Sequence, residues 1–174
     1  GCNQTCSMES HGFDCDTEVV SNVMMTAEEI EARIVELWPN NTRSVEHGPN
    51  VILTGGEPLL HLDQALIDRL RGFFIAVETN GSLECKWMVD WLCVSPKVAE
   101  HAIRQKTADE VKYVRNAGQG CPMPACKATH MLLSPAHNAD GLPEPGALQT
   151  CIDIVKKAPG WRLSVQQHKL WKVR

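Results

Sequence analysis

Three cysteines lie close together near the start of the sequence, at Cys2, Cys6 and Cys15. A closed structural zinc site takes four protein ligands, whereas a catalytic metal centre keeps one coordination position open. Three thiolates with no fourth nearby therefore favour an open centre, such as a cubane iron–sulfur cluster in which one iron has no protein ligand. A zinc site or a pair of disulfides is the alternative for the same residues.

A second candidate is the stretch Thr54-Gly55-Gly56-Glu57-Pro58, which directly follows the apolar run 51–53. That run is typical of a short buried strand. Glycine has no side chain, so Gly55 and Gly56 would let the backbone approach a ligand closely, although two glycines can also simply make a turn. The Glu57 carboxylate could accept a hydrogen bond from a ligand ammonium.

The elements that must position these residues alternate along the chain. A Thr26/Glu29 capping box predicts the first helix, and apolar residues at helical spacing predict a second that ends near Gly72. A third helix is predicted over about 145–157. Strands are predicted over 51–53, 73–77, 91–94, 110–114, 130–133 and 161–165. The alternation predicts an α/β fold with a mainly parallel sheet, and in such folds the residues just after the strands line the active face.

Composition sets the class of protein. With 174 residues, 43% hydrophobic and 22% charged, the chain fits one globular domain, and a net charge of -4 gives no basic field for nucleic acid. No apolar run approaches the ~18 residues of a membrane-spanning helix, so no membrane partner is expected. Of the eight cysteines, Cys85, Cys93 and Cys151 are predicted as small buried residues, which favours a reduced, cytoplasmic protein.

The strand-end motifs, taken in order, resemble those of one family. They are Gly1-Cys2-Asn3, Cys15-Asp16-Thr17, Thr54 to Pro58, Glu78-Thr79-Asn80-Gly81, Ser95-Pro96-Lys97 and Gln167-His168-Lys169. A three-cysteine loop followed by a Gly-Gly-Glu turn is similar to the radical S-adenosylmethionine superfamily, and the full set resembles 7-carboxy-7-deazaguanine synthases. The resemblance implies a partial (β/α) barrel of mainly parallel strands, in one domain over 1–174 that lacks an N-terminal strand segment.

The resemblance also implies a reaction. In that family a [4Fe-4S] cluster cleaves S-adenosylmethionine, and the resulting radical starts the ring contraction of 6-carboxy-5,6,7,8-tetrahydropterin to 7-carboxy-7-deazaguanine, with loss of ammonia. Mg²⁺ assists, an electron donor such as flavodoxin supplies the electron, and the product feeds deazapurine pathways such as queuosine synthesis. Members are commonly homodimers.

Roles carry over from the family to matching residues. Cys2, Cys6 and Cys15 would hold the cluster, Thr17 would ligate Mg²⁺, and Thr54 and His168 would contact the substrate. The cofactor-binding residues would be Gly55, Gly56, Glu57, Glu78, Ser95, Pro96, Lys97, Ser134, Pro135, Ala136 and His137. Phe13 matches the aromatic residue beside the cluster.

The sequence departs from the superfamily pattern in the cysteine loop. Eight residues, Ser7 to Asp14, separate Cys6 from Cys15, where most members have two. Cys121 and Cys126 lie in a Pro-rich stretch that we interpret as a surface loop. Two alternatives to the synthase are a glycyl-radical-enzyme activase of the same superfamily and a non-catalytic zinc-binding module.

Overall fold

The computed structural model describes residues 1–15, 17, 23–38, 50–138, 140–167 and 171. Its centre is a six-stranded sheet whose spatial order, β1-β2-β3-β4-β5-β6, follows the order of the strands along the chain. All five pairings are parallel. The strands are β1 (Asn50–Leu53), β2 (Phe74–Thr79), β3 (Trp91–Val94), β4 (Thr107–Arg115), β5 (Lys127–Pro135) and β6 (Trp161–Leu163).

In the described part of the chain, the helices beside the sheet are α1 (Met8–His11), α2 (Ala27–Leu37), α3 (Gln64–Arg69) and α4 (Ala147–Lys157). Helix α2 begins with the predicted capping box, in which the Thr26 hydroxyl accepts from the amide of Glu29 and the Glu29 carboxylate accepts from the amide of Thr26. Short 3-10 turns follow β1 and β3, at Pro58–Leu60 and Glu100–Ala102.

Two apolar clusters hold the helices on one face of the sheet. The first joins β1 and β2 to the α3 region through Val51, Val77 and Leu70. The second joins β4, β5 and β6 to α4, and Cys151 of α4 is completely buried in it. The side chains on one face of the strands pack against the helices in these clusters. The polar residues lie on the opposite face of the sheet and at the strand ends.

The sequence predicted all six strands, but the structure corrects several limits. Strands β4 and β5 begin at Thr107 and Lys127, which pair with each other, so backbone pairing extends both strands beyond their apolar runs. Helix α4 begins at Ala147, after Gly146 in the left-handed region, and β6 ends at Leu163.

Within the described residues, none of the helices has the length and apolar character needed to cross a membrane. All eight cysteines lie among these residues and are free thiols, so the disulfide alternative is not what the structure shows.

Candidate active site

The carboxyl ends of the parallel strands surround one cavity of about 380 Å³. Thirteen of the residues predicted as site residues lie on its wall. They are Cys2, Cys6, Cys15, Thr17, Thr54, Gly55, Gly56, Glu78, Ser95, Lys97, Ser134, Pro135 and His137. Residues that are 135 positions apart in the sequence are therefore brought together because every strand delivers its end to the same rim.

The three cysteines of the N-terminal loop share one side of this cavity. Burial raises the pKa of the Cys6 thiol; the Lys97 charge lowers it, and the neighbouring Cys15 and Cys2 raise it further. Among the described residues, no group of three His, Cys, Asp or Glu side chains could hold a single metal ion. Three thiolates from one loop are a donor set that a cluster can use, because its thiolates bind different irons.

Gly56 has no room for a side chain. A Cβ there would lie 2.7 Å from the Gly1 carbonyl carbon and 2.8 Å from the Cβ of Cys2. The next amide, that of Glu57, donates to the Gly1 carbonyl oxygen at 3.0 Å. The cysteine loop therefore packs directly against the Gly55-Gly56 turn. The missing side chain at Gly56 makes room for Gly1 and Cys2.

Gly55 differs from its neighbour, because no atom lies within 4 Å of the position of a Cβ and its φ is +119°. Only glycine adopts that backbone conformation readily. The open space beside it belongs to the cavity.

The Glu57 carboxylate is turned away from the cavity and is 1% exposed. It accepts from the Thr79 hydroxyl at 2.9 Å, from the Asn80 amide at 2.7 Å and from the Leu59 amide at 3.1 Å. These contacts give Glu57 a structural role, fixing the end of β2 beside the end of β1. Its predicted contact with a ligand ammonium stays a prediction.

The turn after β2 fastens the cysteine loop a second time. The Asn80 side-chain amide donates to the Asn3 side-chain oxygen at 2.9 Å, and the Asn3 amide donates to the Ser82 hydroxyl at 2.9 Å. Glu78, two residues earlier on the cavity wall, lies 3.1 Å from the ammonium of Lys112 on β4. Both members of that ion pair line the cavity.

The loop after β3 is tied to the end of β2 by its backbone. The Ser95 amide donates to the Thr79 carbonyl at 2.8 Å, and the Lys97 amide donates to the Asn80 carbonyl at 3.2 Å. The Lys97 ammonium donates to the Ser95 hydroxyl at 2.9 Å and lies 4.9 Å from the centre of the Phe13 ring. A cation is therefore held beside the cysteines.

The loop after β5 is held in a similar way. The Ala136 amide donates to the Arg115 carbonyl at 2.9 Å, and the Ala136 carbonyl accepts from the Glu144 amide at 2.7 Å. Ser134, Pro135 and His137 face the cavity, while Ala136 is buried behind them.

The insertion Ser7 to Asp14 forms α1 and bridges two strand-end loops. The Ser7 hydroxyl caps α1, and Gly12 ends it in the left-handed region. His11 Nε2 makes a 2.9 Å hydrogen bond with the Lys97 carbonyl, and the Asn116 side-chain amide donates to the Gly12 carbonyl at 2.7 Å. The spacing of the cysteines revealed the insertion, but the sequence did not predict its helix, because four helical residues are too few to show a periodic pattern.

Three predicted site residues lie off the wall of the cavity, namely Glu57, Pro96 and Ala136. Each is next to a residue that does line the cavity. Within each motif, therefore, some residues face the cavity and others lie behind its wall. His168 lies outside the described residues. Phe13, expected beside the cluster, also lies on the wall, and the further wall residues that the sequence did not single out as site residues are Asp14, Thr79, Asn80, Lys112, Val114 and Gln166.

Lys112 is the most informative of these missed residues. It lies inside β4 rather than at a strand end, so no motif marks it. A signal was present, because Glu110 and Lys112 alternate with the buried Val111 and Tyr113. Two charged residues at a spacing of two, in a strand expected to be covered on both faces, indicate a polar cavity on one side.

Cys121 and Cys126, interpreted as one surface loop, have different surroundings. Cys121 is exposed as predicted, whereas Cys126 is 1% exposed and packs in the cluster beneath α4, which corrects the prediction for that residue. Cys93 and Cys151 are buried as predicted, and Cys85 is half-buried.

Comparison with known proteins gives consistent relatives. A 7-carboxy-7-deazaguanine synthase of Bacteroides thetaiotaomicron is 36% identical over 177 residues, in an alignment that covers 100% of this chain and 84% of that protein. The synthase of Burkholderia multivorans is 36% identical over 165 residues, covering 89% of this chain and 75% of that protein. The synthase of Bradyrhizobium diazoefficiens is 35% identical over 191 residues, with 100% and 86% covered.

Among solved structures, QueE from Escherichia coli superposes with a TM-score of 0.54 at 25% identity, covering 82% of this chain and 64% of that one. No family model matches the chain.

Proposed function

The chain belongs to the 7-carboxy-7-deazaguanine synthase family, with the α/β partial barrel of radical S-adenosylmethionine lyases, and from that premise we propose how its own residues serve the reaction. The reaction is the ring contraction of 6-carboxy-5,6,7,8-tetrahydropterin to 7-carboxy-7-deazaguanine, with loss of ammonia. The observation that carries the assignment to these residues is the cavity, which the three cysteines line together with the ends of five parallel strands.

The cysteine loop suits a [4Fe-4S] cluster in its donor set. Three free thiols line the cavity. Cys2, Cys6 and Cys15 would hold three irons and leave the fourth open. When bound, the cluster and S-adenosylmethionine supply the one-electron cleavage that starts the reaction.

The remaining residues of the wall would bind and orient the two organic molecules. Gly55 offers backbone beside open space, and Ser95 and Lys97 offer a hydroxyl and a cation near the cysteines. Ser134, Pro135 and His137 close the opposite side. Thr54 would contact the pterin at the end of β1, and the predicted contact of His168 stays part of the same proposal.

We assign Mg²⁺ to Thr17, which lies on the cavity wall close to Asp14 in the sequence. Hydroxyl and carboxylate oxygens are the ligands that this hard cation prefers. Treating the protein with a chelator and then restoring Mg²⁺ should lower and then recover turnover. We also place the enzyme in the cytoplasm as a homodimer served by a flavodoxin-like donor; sedimentation of the reconstituted protein tests the dimer.

The test is anaerobic reconstitution followed by electron paramagnetic resonance of the reduced protein, with and without S-adenosylmethionine. We expect a [4Fe-4S]⁺ signal that changes shape when S-adenosylmethionine is added, and formation of 7-carboxy-7-deazaguanine without any protein substrate. Stoichiometric zinc and no iron would instead identify a binding module. A cluster that cleaves S-adenosylmethionine only with a partner protein would identify an activase.

A further inference from the structure

Lys112 and Glu78 form an ion pair inside the cavity, where most wall residues are neutral. The Lys112 ammonium lies 3.1 Å from a Glu78 oxygen, and their side chains are 22% and 39% exposed. Glu78 comes from the end of β2 and Lys112 from the middle of β4, with β3 between them. The pair therefore crosses over β3 on the face of the sheet that lines the cavity.

The groups that face this pair are few. Cys93 of β3 and Glu110 of β4 lie beside it, because Cys93 pairs in register with both Glu78 and Glu110. The Cys93 thiol donates to the Glu110 carboxylate at 3.2 Å, and burial raises the pKa of that thiol, so it is neutral. Lys112 is thus the cation that faces two carboxylates.

Burial by itself would lower the pKa of Lys112, but the Glu78 and Glu110 carboxylates raise it, and the net shift is upward. The ammonium therefore stays charged at neutral pH. The second cation of the wall, Lys97, lies beside Phe13 and the cysteines, where its ammonium contacts Ser95. Each cation has its own side of the cavity.

We propose that Lys112 is a positioning residue for the synthase reaction, whose ammonium holds the Glu78 carboxylate on the cavity wall so that Glu78 accepts hydrogen bonds from the molecules bound there. The proposal rests on the proposed function, and it gives Lys112 no contact of its own with the reacting atoms.

The physical reason is the change in solvent when the cavity fills. In the unfilled cavity the pair is partly exposed, and a pair of that kind is worth little. Bound cofactor and pterin expel water, and the attraction between the two charges then grows because the local dielectric falls. A carboxylate fixed in this way presents an acceptor to vicinal hydroxyls or to the N–H groups of an aminopyrimidinone without first paying the entropy of ordering a long side chain.

The experiment is a double-mutant cycle in the reconstituted enzyme. The variants are Lys112→Met, which removes the charge at similar volume, Glu78→Gln, and the two together. We expect K112M to lower kcat/KM for the pterin about tenfold or more, and E78Q to do at least as much. In the E78Q background, K112M should add less than about threefold, because its effect passes through the carboxylate.

Rescue and controls separate positioning from a general structural effect. Lys112→Arg should recover most of the activity that K112M loses, since it restores the charge. Lys127→Met, at the exposed start of β5, should change nothing. Iron content should be the same in all variants, and the spectral change of the reduced cluster on adding S-adenosylmethionine should weaken in K112M and E78Q alike.

Two outcomes would overturn the proposal. If the double variant loses kcat/KM by the product of the two single losses, Lys112 has a role independent of Glu78. If K112M has wild-type kinetics, Lys112 has no role in the reaction. Failure of the proposed function is distinct, because then the wild-type chain itself would form no 7-carboxy-7-deazaguanine in the same assay.

Discussion

Two groups of cysteines in this chain show how position decides what one residue type can do. Cys2, Cys6 and Cys15 are half-buried or exposed, and they line the cavity at the strand ends. Cys93, Cys126 and Cys151 are buried among the strands and α4. The first group can reach a metal cluster, whereas the second is packed as small apolar side chains.

The surroundings of the thiols explain the difference. Burial raises the pKa of Cys151 to about 11, and it raises the pKa of Cys93 and of Cys126 as well. Thiolate is the form that binds metal. Burial raises the pKa of Cys6 as well, so the two groups are separated by access: the loop thiols line the cavity, whereas the buried thiols do not.

The largest expected effect is from removing a loop thiol. Cys6→Ala should leave the fold intact but should lower bound iron and reduce product formation by about a hundredfold or more, because the cluster loses a ligand. Iron analysis and the turnover assay measure both quantities. Cys126→Ala is the matched control in the second group, and its iron content should equal that of the wild type; an iron-free C126A protein would contradict the division.

A change that moves the cysteine loop without touching a thiol comes next. Gly56→Ala places a methyl group against Gly1 and Cys2, and the loop must shift to make room. We expect a loss of about 1–3 kcal/mol in the free energy of unfolding, together with weaker iron binding. Gly120→Ala, where nothing lies within 4 Å, is the control. Unchanged iron binding in G56A would show that the loop is not located by this contact.

The buried group of cysteines is tested by placing a polar side chain at one of its positions. Cys151→Ser puts a hydroxyl at a completely buried position in the cluster beneath α4. The free energy of unfolding should fall by about 1–3 kcal/mol, and iron content should stay at the wild-type level. Urea denaturation of the unloaded protein measures the first quantity. If C151S loses iron without losing stability, the two groups are coupled in a way that their separate locations do not explain.

The smallest effect is expected from alkaline pH. The Cys151 thiol ionises near pH 9.0 when unfolded and near pH 11 when folded, because burial raises its pKa. A raised folded pKa means that the unfolded chain ionises first, so the stabilising contribution is complete below about pH 9 and is lost as the pH rises towards 11. Cys151→Ala should flatten that part of the stability curve; an identical slope in C151A would assign the effect to other groups.

The sequence predicted the sheet well for a physical reason. Each strand of a parallel sheet is buried, so its apolar run is visible, and the polar residues that follow it stand out by contrast. The Gly55-Gly56 turn and the loops at Ser95 and Ser134 stand out by that contrast, whereas the cysteine loop was found from the spacing of its cysteines, and the structure brings all of them to one cavity.

The rest depended on contacts between distant residues. Helix α1 is too short to have a periodic pattern, and His11 and Asn116 hold it through bonds that span 86 and 104 residues. The role of Glu57 in fixing Thr79 and Asn80 could not be distinguished from ligand binding, because the residue type suits both. The burial of Cys126 was missed for a similar reason. It lies directly before β5, and the sequence there has no pattern that distinguishes the start of a strand from a surface loop.

The hydrogen bonds of the cysteine loop also impose an order on biosynthesis. Its partners appear one after another along the chain, first Glu57, then Asn80 and Lys97, and finally Asn116. Since synthesis proceeds from the N-terminus, the loop leaves the ribosome before any of them. It cannot acquire its full set of anchors until β4 has been made, so the loop reaches its final position only after the first four strands have been synthesised.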